Sequence, residues 1–232
     1  MKKLLIPLLL ALCLSGCESE VKISVKYSDV FRDSPISSTA IVTFDSLPNC
    51  NETIISDAKL KVDYIFPGAK YLGCRENLHW RNYIQFEVPV QIGGVGLKDC
   101  SDDQVCVAAS RNNLWMNLFI GKEVRRKIDL ALRGNTGNRE NFKIVLIFTN
   151  DSGEELKIYV PSLFMEYDGE KIPLHNLTGS LHEEKTNFFL GDVAKEKALR
   201  VGVATLIKFP QREQKEADPL SSDGKFSLGK TM

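Results

Sequence analysis

The chain has 232 residues, with 30 Lys and Arg against 30 Asp and Glu, 43% hydrophobic residues and 6 cysteines. A formal net charge of zero removes the electrostatic case for a nucleic-acid partner. The length suits one large domain or two small ones.

Met1-Lys2-Lys3 is a positively charged start, and Leu4 to Leu14 is an apolar run interrupted only by Pro7. A charged start followed by about 7 to 15 apolar residues is the plan of a secretory signal. A spanning helix needs about 20 apolar residues, and Glu18 and Glu20 end the run short of that. The run closes with Leu14-Ser15-Gly16-Cys17, which resembles the lipobox of bacterial lipoproteins. That resemblance implies a signal peptide over 1–16, cleavage before Cys17, a diacylglyceryl thioether on its sulfur, and acylation of the new amino terminus. In enteric-type lipoproteins an Asp after the lipidated cysteine retains the protein in the inner membrane, so Glu18 points to the outer membrane. The expected location is lipid-anchored, facing the periplasm or the cell surface, with residues 17–20 as a short tether.

Val21, Ile23, Val25 and Tyr27 alternate with polar residues and predict a strand. Ala40 to Phe44 predicts a second. Asn49 or Asn51 can cap a helix whose Ile55, Ala58, Val62 and Ile65 share one face, with Pro67-Gly68 as its stop. Strands are expected at 70–73 and 83–90, where Pro89 suggests an edge. Another is expected at 112–120, with Leu114, Met116, Leu118 and Ile120 aligned. A second helix follows, with Val124, Ile128, Ala131 and Leu132 at helical spacing, a Glu123–Lys127 pair, and Gly134 as stop.

The Gly134 to Asn138 stretch reads as a boundary. Beyond it the pattern is all strand: 142–149 turning into 156–160, then 163–167 turning into 171–174, a short strand at 188–190, and a long one at 199–209. The fold class expected is α+β: an N-terminal α+β domain with two helices over 21–134, followed by a mainly antiparallel, immunoglobulin-like β-sandwich over 138–209. Residues 210–232 read as a disordered tail.

With Cys13 in the signal and Cys17 lipidated, Cys50, Cys74, Cys100 and Cys106 remain. Four cysteines allow three pairings, and an oxidising compartment favours disulfides. Cys50 and Cys74 close two strands that can be neighbours, and Cys100 and Cys106 enclose the tight loop Ser101 to Val105, so these two bridges are expected. A zinc site is disfavoured, since there is no Cys-x-x-Cys pair and His79, His175 and His182 lie far apart in sequence.

The remaining candidates for chemistry reduce to ordinary structure. His182-Glu183-Glu184-Lys185-Thr186 lacks the second histidine of a zinc helix. Gly93-Gly94-Val95-Gly96-Leu97-Lys98 lacks the last glycine of a dinucleotide loop, where Asp99 stands. Asp99, Ser101 and Asp103 alternate like calcium ligands, but the glycine and the closing Glu of such a loop are missing at the required spacing. Trp80 and Trp115 read as packing residues, Arg125-Arg126-Lys127 as a solvated helix face, and the sequons at Asn51 and Asn176 as incidental. No catalytic residue, metal or cofactor is expected.

Residues 14–90 resemble small lipoproteins encoded by bacteriophages and prophages of enteric bacteria. The likeness rests on the lipobox and first strand, Ile41-Val42-Thr43-Phe44 leading to Cys50, Tyr64-Ile65-Phe66-Pro67-Gly68-Ala69-Lys70, Cys74, and Phe86-Glu87-Val88-Pro89-Val90. It implies no active-site residue. The function expected is that of a non-catalytic envelope lipoprotein acting through protein contacts, with the membrane and an envelope protein as partners, in host-surface modification or superinfection exclusion. The alternative is a structural or assembly accessory of the envelope. A periplasmic hydrolase is the third reading.

Overall fold

The computed structural model describes residues 19–47, 50–76, 82–94, 100–109, 114–132, 142–181, 185–209 and 226–227. Cys17, Glu18, the signal-like run, His79, Trp80, Asp99, His182 and the Gly134 to Asn138 stretch lie outside these residues.

In chain order the elements are β1 Ser19–Lys26, α1 Tyr27–Val30, β2 Ile36–Leu47, α2 Glu52–Ile65, β3 Lys70–Glu76, β4 Asn82–Ile92, β5 Val105–Ala109, β6 Trp115–Ile120, α3 Lys122–Leu132, β7 Phe142–Thr149, β8 Leu156–Tyr167, β9 Glu170–Leu181, β10 Lys185–Leu190, α4 Asp192–Val201, β11 Val203–Lys208 and β12 Phe226–Ser227. Nine strands form a closed barrel in the order β10-β7-β1-β2-β4-β5-β6-β11-β8, with β8 pairing back to β10. β3 adds to β4, β9 to β8, and β12 to β9.

This corrects the expected fold class. There is no two-helix α+β unit followed by an immunoglobulin-like sandwich, because strands from before and after the Gly134 to Asn138 stretch hydrogen-bond to one another. β1 runs parallel to β7, with Ser19 opposite Phe142 and Lys26 opposite Thr149, and β11 is antiparallel to β6. The expected hairpin between 142–149 and 156–160 is also absent: the neighbours of β7 are β1 and β10.

Strand alternation sets what fills the barrel. On β4, Ile84, Phe86, Val88, Val90 and Ile92 are buried, while Tyr83, Gln85, Glu87 and Gln91 are partly exposed and Pro89 is exposed. Together with Ile23, Val42, Val107, Met116, Leu118, Leu146, Phe148, Ile158 and Phe188 they form one continuous core. Such inward apolar alternation produces a solid barrel with a polar outer face. Pro89 lies in a gap along one edge of β4: β3 pairs with β4 only as far as Glu87, and pairing with β5 begins at Gln91. A residue without an N–H is therefore tolerated in a strand that is otherwise internal.

The helices close the structure. Asn51 is the N-cap of α2 and accepts from Ile54 N at 2.9 Å, and Ile54, Ile55, Ala58, Val62 and Ile65 turn to the core. α3 buries Val124 and Ile128, while Ala131, expected on that face, is exposed. The expected Glu123–Lys127 pair is replaced by one between Glu123 and Arg126, one residue closer.

α4 is a helix where residues 199–201 were expected to begin a strand. Ala194, Lys195, Glu196, Lys197 and Ala198 are strong helix formers, and Gly202, at φ 95°, ends the helix by donating from its N–H to Ala198 O at 2.9 Å. β5 and the four-residue α1 were not anticipated either. Tyr27, the first residue of α1, and Phe31, its C-cap, meet Phe209 edge-on at 5.2 and 5.4 Å, and Phe209 stacks on Phe148 at 5.9 Å, which anchors α1 to the core.

Candidate contact surface on the β8–β9 ribbon

β8 turns a corner. Ile158 and Val160 are buried before it, Leu163 and Met165 after it, so the inward set shifts phase between residues 160 and 163. Pro161 sits at the shift, and Asn176, at the facing position of β9, has φ 50°. Before the corner β8 pairs with β11, Tyr159 opposite Lys208. After it β8 pairs with β10, Leu163 opposite Leu190 and Met165 opposite Phe188. An odd number of the pairings around the ring are antiparallel. A ring of straight strands with that parity cannot close, so the bend in β8 is what permits closure.

The corner also presents side chains outward. Phe164 lies between Phe189 on β10 and Pro173 on β9, and Glu166 between Lys171 and the side chain of Asn187. Asn187 Nδ2 donates to Glu166 Oε2 at 3.0 Å, and Lys171 Nζ lies 4.2 Å from the Phe189 ring centre. Phe164 is 38% exposed, and Tyr167 and Ile172, at the tip of the ribbon, are 42% and 38% exposed. On the other side of the corner Trp115 meets Tyr159 edge-on at 5.8 Å, with Lys208 Nζ 5.4 Å from the indole. The outward face thus carries Phe164, Pro173 and Phe189 beside Lys171 and Glu166, whereas Ile172, in register with the buried Met165, and Tyr167, two residues from Met165, lie on the opposite face of the ribbon tip. Large apolar groups left outside a filled core, beside a few polar groups that fix orientation, are the composition of protein contact surfaces.

Tyr159 OH donates to Asn176 Oδ1 at 2.8 Å, and the Asn176 amide lies 3.3 Å from His175 Nε2. These contacts hold the corner residues in place. His175 faces Ser162 across the ladder, but its ring partner is an amide and not the carboxylate that would orient a catalytic imidazole.

The other residues singled out in the sequence have structural places. Cys50 is bonded to Cys74 and Cys100 to Cys106, the pairing read from the sequence. Gly93 N donates to Val107 O at 2.8 Å and Gly94 N to Arg32 O at 2.9 Å, so these two amides are engaged within the protein. Ser101 Oγ donates to Asp103 Oδ1 at 2.6 Å inside the bridged loop. Among the described residues no three His, Cys, Asp or Glu side chains are grouped to hold a metal ion, and no helix is long and apolar enough to cross a membrane. The sequons coincide with a helix cap at Asn51 and the ribbon corner at Asn176.

Arg125 departs from the expected solvated basic face. It reaches the end of α4, donating from Nη1 to Arg200 O at 2.7 Å. Arg126 stays at the surface, where the hydrogen bonds it donates to Glu123 and Tyr64 raise its pKa. In return Arg126 holds the Glu123 carboxyl below its usual range. The exposed β8–β9 strip was not anticipated; the signal that could have located it is the pair of alternating runs around Pro161 in which the phase of the apolar residues shifts.

A family described as a domain of unknown function, DUF7424, matches residues 19–215. No curated protein and no solved structure matches the chain.

Proposed function

We propose, for a chain that belongs to the DUF7424 family, that it is a non-catalytic envelope lipoprotein acting through protein contacts made by the β8–β9 ribbon. The observation that carries this reading is the contrast between the apolar core buried inside the barrel and Phe164, exposed on the outward face of the ribbon beside Phe189. Outward apolar side chains are the composition of surfaces that another surface covers.

In this reading Cys17 carries the lipid, Glu18 directs the chain to the outer membrane, and β1 begins at the next residue, Ser19. The barrel is then held against the bilayer, and confinement to the membrane plane raises the effective concentration of a partner, so a modest intrinsic affinity suffices. The biological form we favour is modification of a host cell surface by a phage- or prophage-encoded protein, with exclusion of superinfecting phage as its outcome. The support for that form is the resemblance over residues 14–90. An assembly accessory of the envelope is the second reading and uses the same ribbon.

Expression of the full chain in cells challenged with a panel of phages tests the proposal. Plating efficiency should fall for at least one phage, and Cys17→Ala and Phe164→Asp should each restore it. Unchanged plating across the panel overturns exclusion. Crosslinking in intact cells then separates the remaining forms, since capture of an outer-membrane receptor favours surface modification and capture of assembly machinery favours the accessory. Phe164→Asp leaving capture intact would remove the ribbon as the contact.

A further inference from the structure

We infer that the base of the outer β9 edge, Leu177–Leu181, is a strand-docking site that the chain fills in cis with its own C-terminal segment around Phe226–Ser227. The inference rests on strand pairing and is independent of the contact role proposed above.

β9 lies outside the barrel, with β8 along one edge and no barrel strand along the other. An open edge offers unpaired N–H and C=O groups to any extended chain, and proteins protect such edges with charge, proline, distortion or a cover. Three of these devices occur in sequence along β9. The tip carries Glu170 and Lys171 with Pro173 shortly after, which oppose strand addition by charge and by the missing donor. In the middle Asn176, at φ 50°, breaks the flat ladder that an incoming strand would need.

The base, Leu177-Thr178-Gly179-Ser180-Leu181, has neither charge nor proline, so its sequence carries none of the devices that oppose strand addition. It is there that the C-terminal segment pairs, in parallel, with Phe226 opposite Gly179 and Ser227 opposite Ser180. The unprotected part of the edge and the covered part coincide. The segment itself has strand character: Phe226-Ser227-Leu228 alternates between glycines at 224 and 229. Gly179, opposite Phe226, is buried and contributes no side chain to the pairing. Main-chain pairing of this kind is β-augmentation, here made within one chain.

Hydrogen exchange of the full chain tests the site against two variants, a truncation after Arg212 and the double substitution Phe226→Pro/Ser227→Pro. In both, the β9 amides between Leu177 and Leu181 that point away from β8 should exchange about tenfold or more faster, with the β8 amides of Ile158 and Val160 unchanged. The double substitution keeps the full length, so a folding defect of the truncation does not decide the outcome. A synthetic peptide of residues 221–232 should bind the truncated chain, restore protection at the same amides, and fail to bind the full chain. Unchanged exchange in both variants overturns the site. A full-length dimer that the truncation converts to a monomer overturns the cis assignment, because the segment would then come from a second copy.

Discussion

The guanidinium of Arg125 occupies the space that a side chain on Gly202 would need: a Cβ on Gly202 would meet Arg125 Cζ at 2.8 Å, at a backbone φ of 95°. Nη1 of the same guanidinium donates to Arg200 O, one of the carbonyls left without an intrahelical partner at the end of α4. Through this contact α3 fixes the end of α4 and the start of β11.

Gly202→Ala should therefore destabilise the fold by about 1–3 kcal/mol, from the left-handed backbone and the collision together. Arg125→Ala should cost about 1–2 kcal/mol through the lost charge-assisted bond to Arg200 O. The double substitution should cost less than the two combined, since removing the guanidinium removes the collision. Chemical denaturation of the four proteins measures the coupling; strict additivity would show that the two residues do not share this space.

Gly121 is a second close approach, where a Cβ would lie 2.3 Å from Asp102 O. The backbone around it is already committed, with Gly121 N donating to Gln104 O at 2.8 Å and Glu123 N to Asp102 O at 2.8 Å. Gly121→Ala must displace the Cys100–Cys106 loop or the start of α3. A loss of about 3 kcal/mol or more is expected, seen as a lower Tm and faster exchange in residues 101–106.

The two disulfides should contribute unequally. Cys50–Cys74 spans a sequence separation of 24 and Cys100–Cys106 one of 6. In the chain-entropy account the longer loop restrains the unfolded chain more, giving about 3.5 kcal/mol against about 2.4 kcal/mol. Paired Cys→Ala variants of each bridge, compared by urea midpoints, should rank in that order.

Acid sensitivity should have a contribution from Asp151. Burial raises the pKa of this carboxyl, but the hydrogen bonds it accepts from Ser28 Oγ at 2.5 Å and Ser28 N at 2.9 Å outweigh burial and hold it below the ordinary carboxylate range. A carboxyl whose folded pKa is depressed contributes stability that is present above its unfolded pKa, about 3.9. That contribution is lost as pH falls through the lower folded value. Ser28→Ala should move the Asp151 titration upward by NMR. It should also flatten the loss of stability below about pH 4, while stability differences near pH 7 persist.

The sequence by itself determined which residues face inward and where several elements start and stop. Periodicity encodes burial directly, so β1, β4 and the buried face of α2 were legible. Local chemistry encodes termini, so an Asn cap at 49 or 51, which the structure puts at Asn51, and Pro67-Gly68 as helix stop were legible too, and the short Cys100–Cys106 loop read as its own bridge. Only the tertiary structure decided which strand lies beside which. A two-residue alternation is the same for a sandwich and a barrel, and the pairing of β1 with β7 joins residues more than 100 positions apart without leaving a local mark. The Asn150 to Gly153 turn has hairpin chemistry yet joins strands that are not partners, because β1 and β10 take both edges of β7. The contact ribbon belongs to the same class: Phe164 faces outward because β8 bends at Pro161 to close the ring, and that bend is demanded by pairings made elsewhere in the barrel.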